Sequence, residues 1–128
     1  MNYYFGHIEE DTKSNENFRK VIFTGTQAQL VLMTLKPGEE IGQEVHNGVD
    51  QFFRFEDGVG MVKINGEGIP VKDGDAVIVP AGAEHNVLNT GDTPLKLYTI
   101  YSPANHPDGT IHATKAEAEA YEKEHHHE

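Results

Sequence analysis

Apolar and polar residues alternate along most of this chain with a period near two, not the 3.6 of a helix. Runs at 21–24, 28–36, 50–56, 59–64, 69–72, 76–79, 85–90 and 95–101 are rich in branched and aromatic residues, and each reads as a strand. Turn chemistry separates them. Asn65-Gly66 is a strong two-residue hairpin signal, because both residues accept positive φ. Lys36-Pro37-Gly38, Asp57-Gly58, Asp73-Gly74 and Asn89-Thr90-Gly91-Asp92 mark further reversals. Short strands recurring every ~10 residues with no helix between them predict an antiparallel sandwich or barrel.

Helical signals gather only at the C-terminus. Thr114-Lys115-Ala116-Glu117 has the form of a capping box, and the i,i+4 pair Glu119 and Lys123 follows it. A short surface helix is expected there. Residues 1–17 are polar and read as an N-terminal arm, either packed on a partner subunit or without fixed order. This divides the chain into an arm at 1–17, a barrel at 18–113, and a helix with its tail at 114–128. The terminal run His125-His126-His127 has metal-binding residues, but a solvated tail is the simpler reading.

With 128 residues the chain fits one domain, since domains typically run ~100–200 residues. The absence of cysteine excludes a disulfide scaffold, thiolate metal sites and thiol chemistry, and fits a cytoplasmic protein. Ten Lys and Arg against 21 Asp and Glu leave a formal charge of −11, which argues against nucleic acid and anionic membrane surfaces as partners. No apolar run approaches the ~18 residues of a spanning helix, and residues 1–10 lack the apolar core of a signal peptide.

The sharpest chemical signal lies between Gly38 and Asn89. In a strand, residues i and i+2 share a face, so Glu44 and His46 aim two ligand-type side chains the same way. Gln51 opens the next strand, where it shares a face with Phe53 and Phe55, while Arg54 points outward. His85 follows the Pro80-Ala81-Gly82 turn and begins another strand. Two imidazoles, a carboxylate and an amide oxygen in convergence make an N/O site for a divalent ion. Spacing alone leaves open the alternative of surface residues on an edge strand.

The spacing Gly38-x5-Glu44-x-His46-x4-Gln51-x6-Gly58, followed by Gly74-x5-Pro80-x-Gly82-x2-His85-x3-Asn89, resembles the two motifs of the cupin superfamily. Every fixed position of the second motif is matched. The first keeps its spacing but carries Glu44 in place of the first His and Gln51 in place of the Glu. The resemblance implies an all-β antiparallel jelly-roll barrel holding one divalent metal ion per chain (Zn, Mn, Fe, Ni or Cu) on Glu44, His46, Gln51 and His85. The two departures compensate in charge, but an amide oxygen is a weaker donor than a carboxylate. Glu44 is also the candidate catalytic base. Gly58, Gly74, Gly82, Pro80 and Asn89 are expected to be structural.

Phe53, Phe55 and Val87 share the inward parity and are expected to line an apolar pocket around the polar focus, the form of a small-molecule site. Tyr98 and Tyr101 fall on opposite faces of the last strand, so only one can face in. His106 and His112 lie in a segment whose Pro and Gly argue against a regular element, expected as a loop near the barrel mouth. No cluster of Lys and Arg is evident inside the barrel, so an aromatic or uncharged substrate is expected over a phosphate. The functional expectation is a metal-dependent oxygenase, lyase or isomerase acting on a small organic molecule. A metal-dependent ligand-binding module is the alternative. The resemblance further implies a homodimer.

Overall fold

A computed structural model of the protein describes residues 1–124, so the His125-His126-His127 run lies outside the described residues. The elements in chain order are α1 (Ile8–Ser14), β1 (Arg19–Thr24), β2 (Gln29–Leu35), β3 (Glu44–Val45), β4 (Asp50–Asp57), β5 (Val59–Ile64), β6 (Glu67–Lys72), β7 (Ala76–Val79), β8 (Glu84–Asn89), β9 (Leu95–Ser102), β10 (Ile111–His112) and α2 (Lys115–Glu124). The strands form two antiparallel sheets, one ordered β10-β1-β2-β9-β4-β7 and the other β3-β8-β5-β6. This is the antiparallel arrangement expected from the strand spacing and the jelly roll that the cupin resemblance implied, with the short C-terminal helix in place. Thr114 caps that helix, its Oγ1 accepting from the Glu117 N–H at 3.2 Å.

Inter-strand register explains why one end of the interior is polar. Across the larger sheet, Met33, Leu97 and Phe55 form one inward row, and Val31, Thr99, Phe53 and Val77 the next. The third row is Gln29, Tyr101, Gln51 and Val79. All three polar-bearing side chains of that row are buried, with Gln29, Tyr101 and Gln51 at 0%, 1% and 2% exposure. From the facing sheet, Val62 and Val87 sit opposite each other in the β5–β8 ladder and are fully buried. Two largely apolar rows therefore hold the sheets together, and one row of hydrogen-bonding groups is held rigid above them.

The turns carry the expected chemistry. Asn65 and Gly66 take φ of 49° and 85°, closing the β5–β6 hairpin. Asn89 braces the end of β8: its Nδ2 donates to the Leu35 and Thr93 carbonyls at 3.0 and 2.9 Å, and its Oδ1 accepts from the Gly91 N–H.

Three elements correct the sequence reading. Residues 8–14 form a helix, so helices are not confined to the C-terminus. α1 has no side-chain N-cap, but Glu9, Glu10 and Asp11 occupy its first turn, where carboxylates offset the helix dipole. It packs on the outer side of the chain's own β4 and β9, and Lys96 Nζ donates to the Asn15 carbonyl at its end, 2.6 Å away. Strand β3 ends at Val45, so His46 lies just beyond it, and the turn before β8 rather than strand parity with Glu44 positions it. The stretch containing His112 is strand β10, paired with β1 despite the neighbouring Pro and Gly.

Candidate metal centre

Glu44 lies directly opposite His85 in the β3–β8 ladder. Register partners in an antiparallel pair project from the same face, so both side chains enter the barrel. The turn before β8 places the third group. Gly82, at φ +86°, donates its N–H to the His46 carbonyl at 3.0 Å, and the Ala81 N–H donates to Asp50 Oδ1 at 2.8 Å. The Pro80-Ala81-Gly82 turn thus ties the backbone at His46 to the start of β4, where Gln51 follows.

Ligand-type atoms of Glu44, His46 and His85 all lie within 4.8 Å of one another. The His46 and His85 rings are 5.3 Å apart. Gln51 joins them from the larger sheet, with its Oε1 3.2 Å from His85 Nε2. The four residues singled out from sequence are therefore brought together.

The hydrogen bonds around the group fix its donors and acceptors. His85 Nδ1 lies 3.1 Å from the Ala83 carbonyl, which only accepts, so Nδ1 donates there and Nε2 is the ring nitrogen turned toward the cluster. Gln51 Nε2 donates to Thr99 Oγ1 at 3.0 Å, which turns Oε1 toward His85 Nε2. His46 Nε2 is buried without a hydrogen-bond partner among the described residues, 3.5 Å from Glu44 Oε1. Burial pushes the Glu44 carboxyl up, but the attraction of His46, Arg19 and His85 outweighs it and holds the group below its ordinary value. An ionised carboxylate, two imidazole nitrogens and an amide oxygen are the donor set of a divalent ion of intermediate hardness. The residues fit such a group.

Phe53 meets the His85 ring edge-on, with centroids 6.1 Å apart, while Phe55 and Val87 are fully buried among the core side chains. Of the two tyrosines, Tyr101 faces inward. Its ring stands 5.9 Å from that of His46, its hydroxyl is 3.2 Å from His106 Nε2, and burial pushes its phenol well above the ordinary value. Tyr98 sits on the outer face near Phe52. His106 belongs to the segment after β9, which is clasped by Gln29. Gln29 Oε1 accepts from the Asn105 and His106 N–H groups, both at 3.0 Å, and its Nε2 donates to the His106 carbonyl at 2.7 Å.

Sequence reasoning missed Arg19. It opens β1 with the same parity as the inward Val21, and its side chain is only 3% exposed. The chain therefore has one buried guanidinium, a single cation rather than a cluster of Lys and Arg. Arg54 stays on the outer face, 3.3 Å from Glu56.

Two facing antiparallel sheets enclosing a His/Glu cluster at one polar end define a small jelly-roll protein with an interior site. The chain belongs to the cupin family: the cupin domain profile matches residues 31–101. It is 51% identical over 122 residues to the uncharacterized protein YrkC of Bacillus subtilis, covering 91% of this chain and spanning 66% of that protein's length. A crystal structure of BH2720 from Bacillus halodurans is 45% identical, with a TM-score of 0.91 over 93% of this chain and 95% of that one. An oxalate-binding protein of Thermotoga maritima is 32% identical over 68 residues, which is 53% of this chain and 56% of that protein. No helix among the described residues is long and apolar enough to cross a membrane.

Proposed function

We propose that this chain binds one divalent metal ion, Zn, Mn, Fe, Ni or Cu, on Glu44, His46, Gln51 and His85, and acts on a small organic molecule inside the barrel as an oxygenase, lyase or isomerase. The observation that carries the reading is the convergence of ligand-type atoms of Glu44, His46 and His85 within 4.8 Å of one another, with Gln51 Oε1 3.2 Å from His85 Nε2. The carboxylate of Glu44, and a His46 Nε2 that is buried without a hydrogen-bond partner among the described residues, favour a cation there.

A bound divalent ion supplies Lewis acidity, and a redox metal adds electron transfer. The chain's own residues do the rest. Thr99 fixes the amide of Gln51, and the Ala83 carbonyl fixes the tautomer of His85, the outer hydrogen bonds that orient ligands. Glu44 is the most exposed of the three clustered residues, its side chain 25% accessible against 13% for His46. It is the group best able to swing away and take a proton from a substrate. Phe53 sets an apolar ring edge-on beside His85.

A binding role without turnover is the second reading, favoured by the Thermotoga maritima relative, which is an oxalate-binding protein. We also read the chain as a cytoplasmic homodimer. Leu30, Ile100, Phe52 and Ile78 form a continuous apolar row across the outer face of the larger sheet, and Ile78 is 66% exposed. Such a row suits a second copy of the chain.

Elemental analysis of chelator-washed protein lacking residues 125–127, before and after reconstitution, tests the metal. One equivalent per chain is expected. Redox metals direct assays to oxygen consumption, and Zn directs them to lyase and isomerase reactions. No metal taken up on reconstitution overturns the reading.

A further inference from the structure

On the outer face of the larger sheet, Thr34 and Lys96 form one row, and Tyr98 and Arg54 belong to the next. The apolar row that ends at Ile78 is the third. α1 is rooted over the first row. Asn15, which closes the helix, accepts through its carbonyl from Lys96 Nζ at 2.6 Å and from Thr34 Oγ1 at 2.7 Å. The helix packs on β4 and β9. Its Glu9 pairs with Lys13 at 2.9 Å and also feels the charge of Arg54 in the second row. Seven helical residues span about 10 Å, so residues 1–7 leave α1 on the side of the third row.

That arm is aromatic, and it does not cover the row. Tyr3 and Phe5 are 81% and 84% exposed, and Ile78 is 66% exposed. Tyr4, between the two rings, behaves differently: it is half-buried and turns back onto α1, its hydroxyl donating to Asp11 Oδ2 at 3.3 Å. Gly6 permits the reversal, since a Cβ there meets the Tyr4 hydroxyl at 2.5 Å and Asp11 Oδ2 at 3.0 Å. One ring thus tethers the arm to its own helix, and its two neighbours stand away from their own barrel. A single chain leaves both apolar surfaces, the rings and the row, in water.

We infer that Tyr3 and Phe5 of one copy dock on the Leu30, Ile100, Phe52 and Ile78 row of a second copy, the two arms crossing reciprocally about a two-fold axis. The inference rests on the homodimer reading and assigns its contact. Arm and row lie on one face of the chain, so a two-fold axis makes that face self-complementary. The area suffices. Two rings from each of two arms bury about 150–250 Å² apiece, and with an equal area of the rows beneath them they reach the roughly 1,200–2,000 Å² of a stable interface. Charge sets the character of the contact. Each copy carries −11, so the copies repel, the apolar contact supplies the attraction, and added salt strengthens association by screening. A cationic partner on the same face gives the opposite salt dependence.

The test uses the full chain, which has no cysteine. Sedimentation equilibrium compares the parent with the Tyr3→Ser, Phe5→Ser double variant, from about 50 to about 500 mM salt. The double variant raises the dimer dissociation constant about a hundredfold or more, and its circular dichroism matches the parent because both rings are exposed. Added salt lowers the parent's constant. Separately, Phe5→Cys and Ile78→Cys chains of different tag length are mixed and oxidised. A disulfide joins one chain of each kind, and a Glu67→Cys control on β6 of the other sheet joins neither. Equal dissociation constants in a dimeric parent and the double variant, or a parent dimer weakened by salt, overturn the inference and leave the homodimer reading standing. So does a chain carrying both cysteines that closes its own disulfide while the mixture gives no mixed product, since the arm then serves its own row. A parent that stays monomeric overturns both readings.

Discussion

Glu44 is anchored across the β3–β8 ladder to His85, which joins the most accessible acid of the cluster to its most buried imidazole, 4% exposed. One partner is thereby free to move while the other is fixed. Such a pairing keeps a site assembled when one of its members leaves to accept a proton.

Gln51→Ala tests the fourth donor. The substitution removes one oxygen from the cluster and leaves Thr99 Oγ1 without its amide partner. Metal affinity is expected to fall about tenfold or more, and stability by about 1–3 kcal/mol. Metal titration alongside urea unfolding separates the two effects. Unchanged metal content in a folded variant removes Gln51 from the ligand set.

His112 makes stability depend on pH. Burial, then the charge of Arg19, lowers its affinity for a proton in the folded chain, with Glu117 opposing. The unfolded chain takes up that proton near the ordinary value of about 6.5, before the native state does. The contribution of His112 is therefore complete above about pH 6.5 and declines as pH falls below it. Unfolding midpoints of the parent and His112→Asn, compared at about pH 7.5 and about pH 5.5, give a steeper loss for the parent. Equal losses count against the assignment.

Gly58→Ala should destabilise sharply. Gly58 adopts φ +92°, and a Cβ there meets the Pro94 carbonyl oxygen at 2.6 Å and Leu95 Cα at 3.1 Å. Left-handed backbone costs ~1–2 kcal/mol for a non-glycine residue, and a backbone clash adds to it. A fall in Tm of roughly 10 °C is expected by calorimetry. A neutral variant means that the β4–β5 turn can rebuild itself.

Ile78→Glu probes the apolar row on the outer face. The side chain is 66% exposed in the single chain, so a monomer tolerates the charge. Sedimentation velocity on the parent is expected to give a dimer, and on the variant a monomer of unchanged melting temperature. A parent that sediments as a monomer removes this face from the reading.

Strands were legible where the period of two ran for four residues or more, and β5 and β7 fall where the pattern put them. The elements missed had no such period. β3 and β10 contain two residues each and exist because a neighbouring strand offers an edge, which is information held elsewhere in the chain. α1 buries only Thr12 among its residues, so it shows no apolar stripe. Glu44, His46, Gln51 and His85 could be read because motif spacing records which strands must meet. Tyr101 could not be separated from Tyr98 by parity alone, since parity gives opposite faces without saying which is inside. Arg19 escaped because β1 begins two residues before its apolar run, and a leading Arg looks like a strand's polar end.

Gln29 has one further consequence. Its amide serves Asn105 N, His106 N and the His106 carbonyl together, so a single buried side chain fastens the segment beside Tyr101. A clasp of that kind has no halfway position. Once the amide lets go, all three backbone partners are released in one event, and both amide protons exchange with solvent at the same rate. The segment beside Tyr101 is thus fastened or released as a unit rather than loosened by degrees.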